Sequence, residues 1–499
     1  MSDQERASRR ARLEALREKG IDPYPARVGP RDPIAGIRSR FGERDAEALE
    51  VDPQTVAVAG RIVAIRSFGK LVFLRLVEAG DAIQVSARKK EIDAELFDRI
   101  RSFDVGDFVR FEGPVWRTRT GELTVDAKAA QILAKSLLPL PEKWHGLTDV
   151  ESRFRQRYLD LLSNEQARSI AVLRSRTLSA MRAFLDARGF LEVETPVLQP
   201  IYGGAAARPF DTHHHRYGQK LYLRISDELY LKRLVVGGLD RVYEIGHNFR
   251  NEGISRKHNP EFTMMECYQA YADYRDMMDL TEEMVREIAA SVRGTTQIEY
   301  QGRKLDLGAP WQRLPMGDAI RDATGIDVLE HGDLESLREA MRSRGFEPSA
   351  APTWARLVDD LFSDRVEPDL VQPTFITDYP LELSPLAKRS ADDARLVERF
   401  EPFVAGMEIG NAFSELNDPD DQRVRLEAQR QALAAGDEEA HPLDEDFVTA
   451  LEHGLPPTGG LGIGVDRLMM ILADVANLRE VILFPHLRPV APPAAAKDS

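Results

Sequence analysis

Only one cysteine, Cys267, occurs in 499 residues. A single thiol excludes an intramolecular disulfide and any cysteine-based zinc site, and it suits a reducing compartment. Long apolar runs are missing too: no stretch approaches the roughly 20 apolar residues that a bilayer-spanning helix needs. The start of the chain lacks the apolar segment of a secretory signal, so the expectation is a soluble, cytoplasmic protein with no membrane partner. There is no positive excess either. The net charge of −15 argues against non-specific coating of nucleic acid, because phosphate binding depends on clustered Lys and Arg. Neither the phosphate loop GxxxxGK[ST] nor the dinucleotide fingerprint is present, and no internal repeat is visible. What is there, 43% hydrophobic and 30% charged residues over this length, supports two or three soluble domains.

Residues 4 to 19 read as a helix, with Ala11, Leu13, Ala15 and Leu16 among charges and Gly20 as its stop. Glu5, Glu14 and Glu18 set this Arg-rich start apart from a transit peptide, which avoids acids. Pro23, Pro25, Pro30 and Pro33 mark a linker, so residues 1–53 form an N-terminal helix and linker. From residue 54 to 140 the pattern changes to five short β-rich runs, VAVAGRIVAI, LVFLRLVEA, AIQVSA, FVRFEGPVW and LTVDA, with a helical stretch near 91 to 102. This predicts a small five-stranded barrel of the OB type, closed off by the PLPEKW run with Pro139 and Pro141. The segment carries 14 Lys and Arg against 11 Asp and Glu, so the remaining chain bears the acidic excess. OB barrels stack single-stranded bases on aromatics, which gives Phe73 a candidate role beside the ordinary one of core residue. A long helix over 165–188 follows, with Asn164 as N-cap and Gly189 after its end, and then the strand FLEVETP. Strands and helices mix thereafter without βαβ alternation, which predicts an α+β domain over 141–490, built on an antiparallel sheet flanked by helices. The Pro/Ala tail, 491–499, reads as disordered.

Three segments carry chemistry. In the first, residues 241–274, two strands join through a polar loop, and period-2 alternation puts Phe262, Met264, Glu266 and Tyr268 on one face. A carboxylate and a phenol on a buried face would need partners, at a penalty on the order of several kcal/mol, so a ligand cleft fits better. Arg250, Glu252, His258 and Asn259 at the loop ends suit a nucleotide. In the second, FEPFVAGMEIGNAFSELNDP, the residues Asn411, Phe413 and Glu415 share a face. Glu408 is out of phase and requires either a bulge at Gly410 or a role on the opposite side. Glu401 and Glu408 are oxygen donors suited to magnesium with substrate phosphates, or else simply exposed carboxylates. The third, GGLGIGVDRLMMIL, runs a glycine-rich strand into an apolar helix with Arg467 in its first turn, where anions are favoured. His213, His214 and His215 alternate across a strand and cannot all bind one metal.

Together these segments resemble the three motifs of class II aminoacyl-tRNA synthetases. GFLEVETPVL is similar to the dimer-forming first motif, FRNEG with HNPEFTMMECYQAYADY to the second, and GLGIGVDRLMM to the third. A barrel ahead of such a core resembles the subgroup for lysine, aspartate and asparagine. The phrases GGAAARPF, LYLRISDELYLKRLVVGG, EKWHGLTDVESRFRQRYLDLL and EIGNAFSELNDP narrow the resemblance to the lysyl-tRNA synthetase branch. The resemblance implies a homodimer that uses ATP and magnesium to activate L-lysine and esterify it to tRNA(Lys). It implies that Arg250 binds the α-phosphate and the lysine carboxylate and Arg467 the γ-phosphate, both being catalytic. Glu252, His258, Asn259 and Phe262 would surround ATP, and Glu401 and Glu408 would hold magnesium. Gly204 and Glu228 would receive the lysine α-amino group, with Glu266, Tyr268, Asn411, Phe413 and Glu415 shaping the rest of the pocket. In the barrel, Arg66, Phe73, Gln84 and Glu122 match anticodon-reading positions. Met407, where many relatives have Arg, and the stretch from His215 to Lys220 depart from the pattern, both beside the site. Rivals are a sibling enzyme for aspartate or asparagine, a lysyltransferase acting on an elongation factor, which would lack the barrel, and an inactive RNA-binding paralogue. Arg250, Glu401, Glu408 and Arg467 argue against the last.

Overall fold

Short runs of β-branched and aromatic residues between Thr55 and Ala134 curl into a barrel in the computed structural model, which describes residues 3–140, 147, 149–434 and 440–489. Its strands are β1 (Thr55–Phe68), β2 (Leu71–Glu78), β3 (Asp81–Arg88), β4 (Phe108–Arg117), β5 (Leu123–Asp126) and β6 (Ala129–Ala134). β1 pairs with β2 and β4, β2 with β3, β3 with β5 and β5 with β4, which closes a five-stranded ring. β6 continues past β5 along the same edge of β4, so the last strand of the ring is interrupted rather than joined by a separate sixth. Alternation dictates the interior: Val56, Val58 and Ile62 of β1, Val72, Leu74 and Leu76 of β2, and Val109, Phe111 and Val115 of β4 are buried together. The helix near residue 91 starts later than its polar residues suggest. Asp93 caps it by accepting a hydrogen bond from the Leu96 amide, and Ala94–Arg101 sends Leu96, Phe97 and Ile100 into the barrel core. The N-terminal helix Asp3–Glu18 ends before Gly20, whose φ is +69°.

The chain divides into two compact units, Met1–Leu147 and Thr148–Ser499. The second is built on an eight-stranded sheet in the order Gln312–Pro315, Thr374–Pro380, Leu396–Phe403, Gly410–Ser414, Thr458–Gly464, Glu261–Ala270, Arg241–Phe249, Leu191–Glu192. Its interior pairings are antiparallel and only the two outermost are parallel. Period-2 alternation gives the sheet two unlike faces. Met265 and Cys267, with Ala412, Leu461 and Ile463, pack under the helices Glu165–Asp186, Tyr274–Arg293 and Val465–Ala473. The opposite side chains, Phe262, Met264, Glu266 and Tyr268 among them, line a cavity. Asn164 caps the first of those helices, accepting hydrogen bonds from the Gln166 and Ala167 amides.

One strand is shorter than its sequence suggests. Of FLEVETP, only Leu191–Glu192 pairs in register. Val193 still donates to the Tyr243 carbonyl at 2.9 Å, but the Thr195 amide turns to the Glu244 side chain and Pro196 has no amide to give. The tail 491–499, read above as disordered, lies outside the described residues, as does Pro141 of the run that closes the barrel segment.

Candidate active site

The sheet's open face forms one side of a cavity of about 280 Å³. The structure brings together there every residue singled out for nucleotide, metal or amino-acid contact: Gly204, Glu228, Arg250, Glu252, His258, Asn259, Phe262, Glu266, Tyr268, Glu401, Glu408, Asn411, Phe413, Glu415 and Arg467. They arrive on several elements, with Glu401 on Leu396–Phe403, Arg467 on the helix Val465–Ala473 and Gly204 on a loop. The hairpin of Arg241–Phe249 and Glu261–Ala270, paired from Arg241–Gln269 to Phe249–Glu261, supplies one wall and the loop above it. Gly410–Ser414 and Thr458–Gly464 supply the floor. The helix Glu228–Val236 supplies the far end.

Glu408 reaches the same cavity because the strand register shifts. Phe400 pairs with Ala412, yet Phe403 bridges to Glu408, one residue closer than a regular ladder would place it. The extra residue lies at Ile409–Gly410, so of the two options left open by the sequence the bulge is the one that occurs.

At the arginine-rich end, Arg467 donates from Nη1 to Glu408 Oε2 at 2.8 Å and to the Glu408 carbonyl at 2.9 Å, and its Nη2 lies 3.3 Å from His258 Nε2. Burial and the Arg467 charge both push His258 below its usual range, favouring a neutral imidazole. The Arg250 guanidinium lies 5.1 Å from the Phe262 ring centroid. Glu401 accepts from Arg399 Nη2 at 2.6 Å and from the Tyr379 hydroxyl at 2.8 Å. Burial raises Glu401 to about 7, Arg399 opposes the rise and Glu408 adds to it. Two neighbouring carboxylates that repel each other are a donor set suited to a hard divalent cation, although among the described residues no cluster of three or more His, Cys, Asp or Glu is placed to hold a metal.

The other end is acidic and closed. Glu228, Glu266 and Glu415 are each at most 5% exposed. Glu266 accepts from Ser226 Oγ at 2.9 Å and the Asp227 amide at 3.3 Å, while the Tyr268 hydroxyl stands 3.4 Å away. Burial lifts Glu266 to about 7 and the Glu228 carboxylate adds to the rise. Burial also raises Glu415 well above the usual carboxylate range, opposed by Lys232. Glu415 Oε2 is in contact with the Lys232 ammonium, and Oε1 accepts no hydrogen bond. Gly204, at φ +88°, lets the backbone pass where a Cβ would stand 2.8 Å from Ser226 Oγ.

In the barrel, Phe73 pairs across to Arg66 and Ser86, and Gln84 shares the face of Ser86 two residues away. The Phe73 ring meets Phe68 edge-on at 6.4 Å, and Gln84 Nε2 donates to Thr124 Oγ1 at 2.9 Å. Glu122 is exposed just ahead of β5. Met407 is buried and does not line the cavity, and 215–220 comprise an exposed hairpin turn, 215–218, and the first two residues of the strand Gln219–Leu223.

Three residues escape the sequence reading. Arg399 holds Glu401 and also donates from Nε to Asn411 Oδ1 at 2.8 Å. Lys232 is wholly buried against Glu228. On the barrel, Trp116 donates to Ser86 Oγ at 3.2 Å with the Arg88 guanidinium 4.2 Å over its ring. A signal existed for two of them: Arg399 lies two residues before Glu401, on its face, and Lys232 lies one helical turn after Glu228.

A closed barrel, and an antiparallel sheet whose open face joins paired arginines and carboxylates to an acidic pocket, make up the architecture of an enzyme that brings a nucleotide to a cationic substrate. Two family models match the chain: tRNA synthetases class II (D, K and N) over residues 149–488, and an OB-fold nucleic acid binding domain over 56–133. Curated relatives include the lysine–tRNA ligase of Chloroflexus aurantiacus, 55% identical over 484 residues that cover 97% of this chain and 98% of that protein. Those of a Roseiflexus species and of Pelotomaculum thermopropionicum are 54% and 51% identical, each covering 96% of this chain and 98% and 94% of their own length. The chain belongs to the class II tRNA synthetases and, within them, to the lysine–tRNA ligases.

Proposed function

We propose that the protein activates L-lysine with ATP to lysyl-adenylate and transfers the lysyl group to the 3′-terminal ribose of tRNA(Lys). One observation supports lysine above all: Glu415, 1% exposed, meets Lys232 through Oε2 and has no hydrogen-bond donor on Oε1 at the acidic end of the cavity. A buried anion with an unfilled acceptor calls for a donor that carries positive charge, and an ammonium on a four-carbon stem supplies it. Glu228 and Gly204 then receive the α-amino group, while Tyr268, Asn411 and Phe413 surround the stem and Glu266 completes the pocket. Arg250 draws the α-phosphate and the substrate carboxylate together. Arg467 leaves Glu408 for the γ-phosphate, and His258, Asn259, Glu252 and Phe262 enclose the nucleotide. Glu401 and Glu408 would hold magnesium, which neutralises phosphate charge when bound. The substrate carboxylate attacks the α-phosphate, pyrophosphate leaves, and a ribose hydroxyl then takes the acyl group as AMP departs. Positioning and charge neutralisation suffice, with no covalent enzyme intermediate.

Barrel residues Arg66, Phe73, Gln84 and Glu122 read the anticodon. The exposed apolar side chains Leu191, Val197 and Leu198, within the segment similar to the dimer-forming motif, favour a homodimer. The enzyme works in the cytoplasm; among the described residues, no helix is long and apolar enough to cross a membrane. Amino-acid-dependent pyrophosphate exchange with all twenty amino acids tests the reading. Lysine alone should drive exchange, and a stronger response to aspartate, asparagine or none would overturn it.

A further inference from the structure

The Lys232 ammonium has no solvent exposure and lies between two carboxylates that the pocket presents to its ligand. Nζ donates to Glu228 Oε1 at 2.5 Å and touches Glu415 Oε2. Nζ also lies 5.4 and 5.8 Å from the ring centroids of Phe413 and Phe447. Each carboxylate is thereby held through one oxygen. The second oxygen of Glu415 lies against Gly460, a lining residue of the cavity, at a spot where any Cβ would overlap it.

We propose that Lys232 is a positioning residue for lysine recognition, gripping Glu228 and Glu415 by one oxygen apiece so that the other oxygen of each meets an amine of the substrate. This rests on the reading of those two carboxylates as the lysine-binding pair.

Charge balance carries the argument further. Glu228, Glu266 and Glu415 are three buried carboxylates in one small pocket. A lysine substrate brings two ammoniums, and its own carboxylate is met by Arg250. The third positive charge is Lys232. Without it, the empty pocket would hold three mutually repelling anions away from water, and they would take up protons rather than await a cation. A protonated acid attracts an ammonium poorly, and the resident ammonium opposes that protonation at both Glu228 and Glu415. The helix geometry makes this cheap to arrange, since Glu228 and Lys232 stand one turn apart on Glu228–Val236.

The test uses the full chain carrying Lys232→Met, which keeps the stem, or Lys232→Gln, which keeps polar donors and removes the charge. Pyrophosphate exchange is followed against lysine and against ATP. We expect KM for lysine to rise about tenfold or more in both variants, with kcat at saturating lysine and KM for ATP within about twofold of the parent. An unchanged lysine KM overturns the proposal. So does a parallel loss in kcat or ATP affinity, or failure of both variants to fold by circular dichroism, since each marks Lys232 as a general structural element. Glu415→Gln in the same assay separates the two levels. If it leaves lysine KM unchanged, the pocket reading itself has failed; if it weakens lysine binding while Lys232→Met does not, only the role of Lys232 has.

Discussion

At Gly460 a Cβ would overlap both Glu415 Oε1 and Tyr268 Cε1, so the glycine is the space into which the Glu415 carboxylate fits. Gly460→Ala should therefore raise KM for lysine and spare KM for ATP, as read in pyrophosphate exchange. Glu415→Gln keeps the shape and removes the charge; the expected loss is about 2 to 5 kcal/mol in kcat/KM for lysine, the range for breaking a buried charge pair. ATP affinity should barely change, and near-parent activity would refute the assignment. His441 offers a pH test of a different kind. Burial lowers it to about 4, and the neighbouring Lys232 charge pushes the same way. Between that value and the ordinary 6.5 the unfolded chain binds a proton that the folded chain refuses, so His441 removes stability as pH falls through this window. The loss approaches ~3 kcal/mol at its acid end. Comparing denaturant unfolding of the parent and His441→Gln at several pH values should show the parent losing ground on acidification. A constant difference would mean that His441 is not held neutral.

Among the elements, the hairpin of Arg241–Phe249 and Glu261–Ala270 was legible in the sequence because strict alternation splits Phe262, Met264, Glu266 and Tyr268 from Thr263, Met265 and Cys267. The barrel was legible for the same reason, with turn residues marking its strand ends. The bulge at Ile409–Gly410 was not, since a one-residue register shift leaves the local pattern intact and shows only in cross-strand pairing. Trp116 was hidden for a related reason, being an ordinary strand residue until tertiary packing supplies its partners, whereas Lys232 and Arg399 stand beside Glu228 and Glu401 in the sequence and only their burial was hidden. Two predictions belong at this scale. Phe73→Ala should weaken tRNA charging by roughly 1 to 3 kcal/mol and leave adenylate formation intact; equal loss in both would make Phe73 a core residue only. The helix Tyr274–Arg293 begins in a reciprocal cap, in which Asp273 Oδ1 accepts from the Arg275 and Asp276 amides and Asp276 Oδ2 from the Asp273 amide. Asp273→Ala should lower stability by about 1 kcal/mol in chemical unfolding, and no measurable change would show the cap to be dispensable.

For the whole molecule, the exposed apolar row on and beside the short Leu191–Glu192 strand is left uncovered by the described residues. Leu198, 48% exposed and two residues after Pro196, is its midpoint. If the proposed homodimer forms through this row, Leu198→Asp should shift sedimentation toward monomer at micromolar concentration without altering circular dichroism, and an unchanged sedimentation coefficient would remove the row from that proposal. The sequence hinted at such a surface only through its resemblance, because an exposed leucine and a buried one are spelled alike. Cys267 carries a consequence of another sort. Its thiol has no solvent exposure on the helix-covered face of the sheet, and burial raises its pKa, so it stays protonated and shielded from maleimides and iodoacetamides. The natural chain is thus already a blank background for site-specific labelling. A cysteine introduced at an exposed barrel position such as Ser67 should take up a fluorophore or spin label alone, giving a reporter of tRNA arrival without first rebuilding the core.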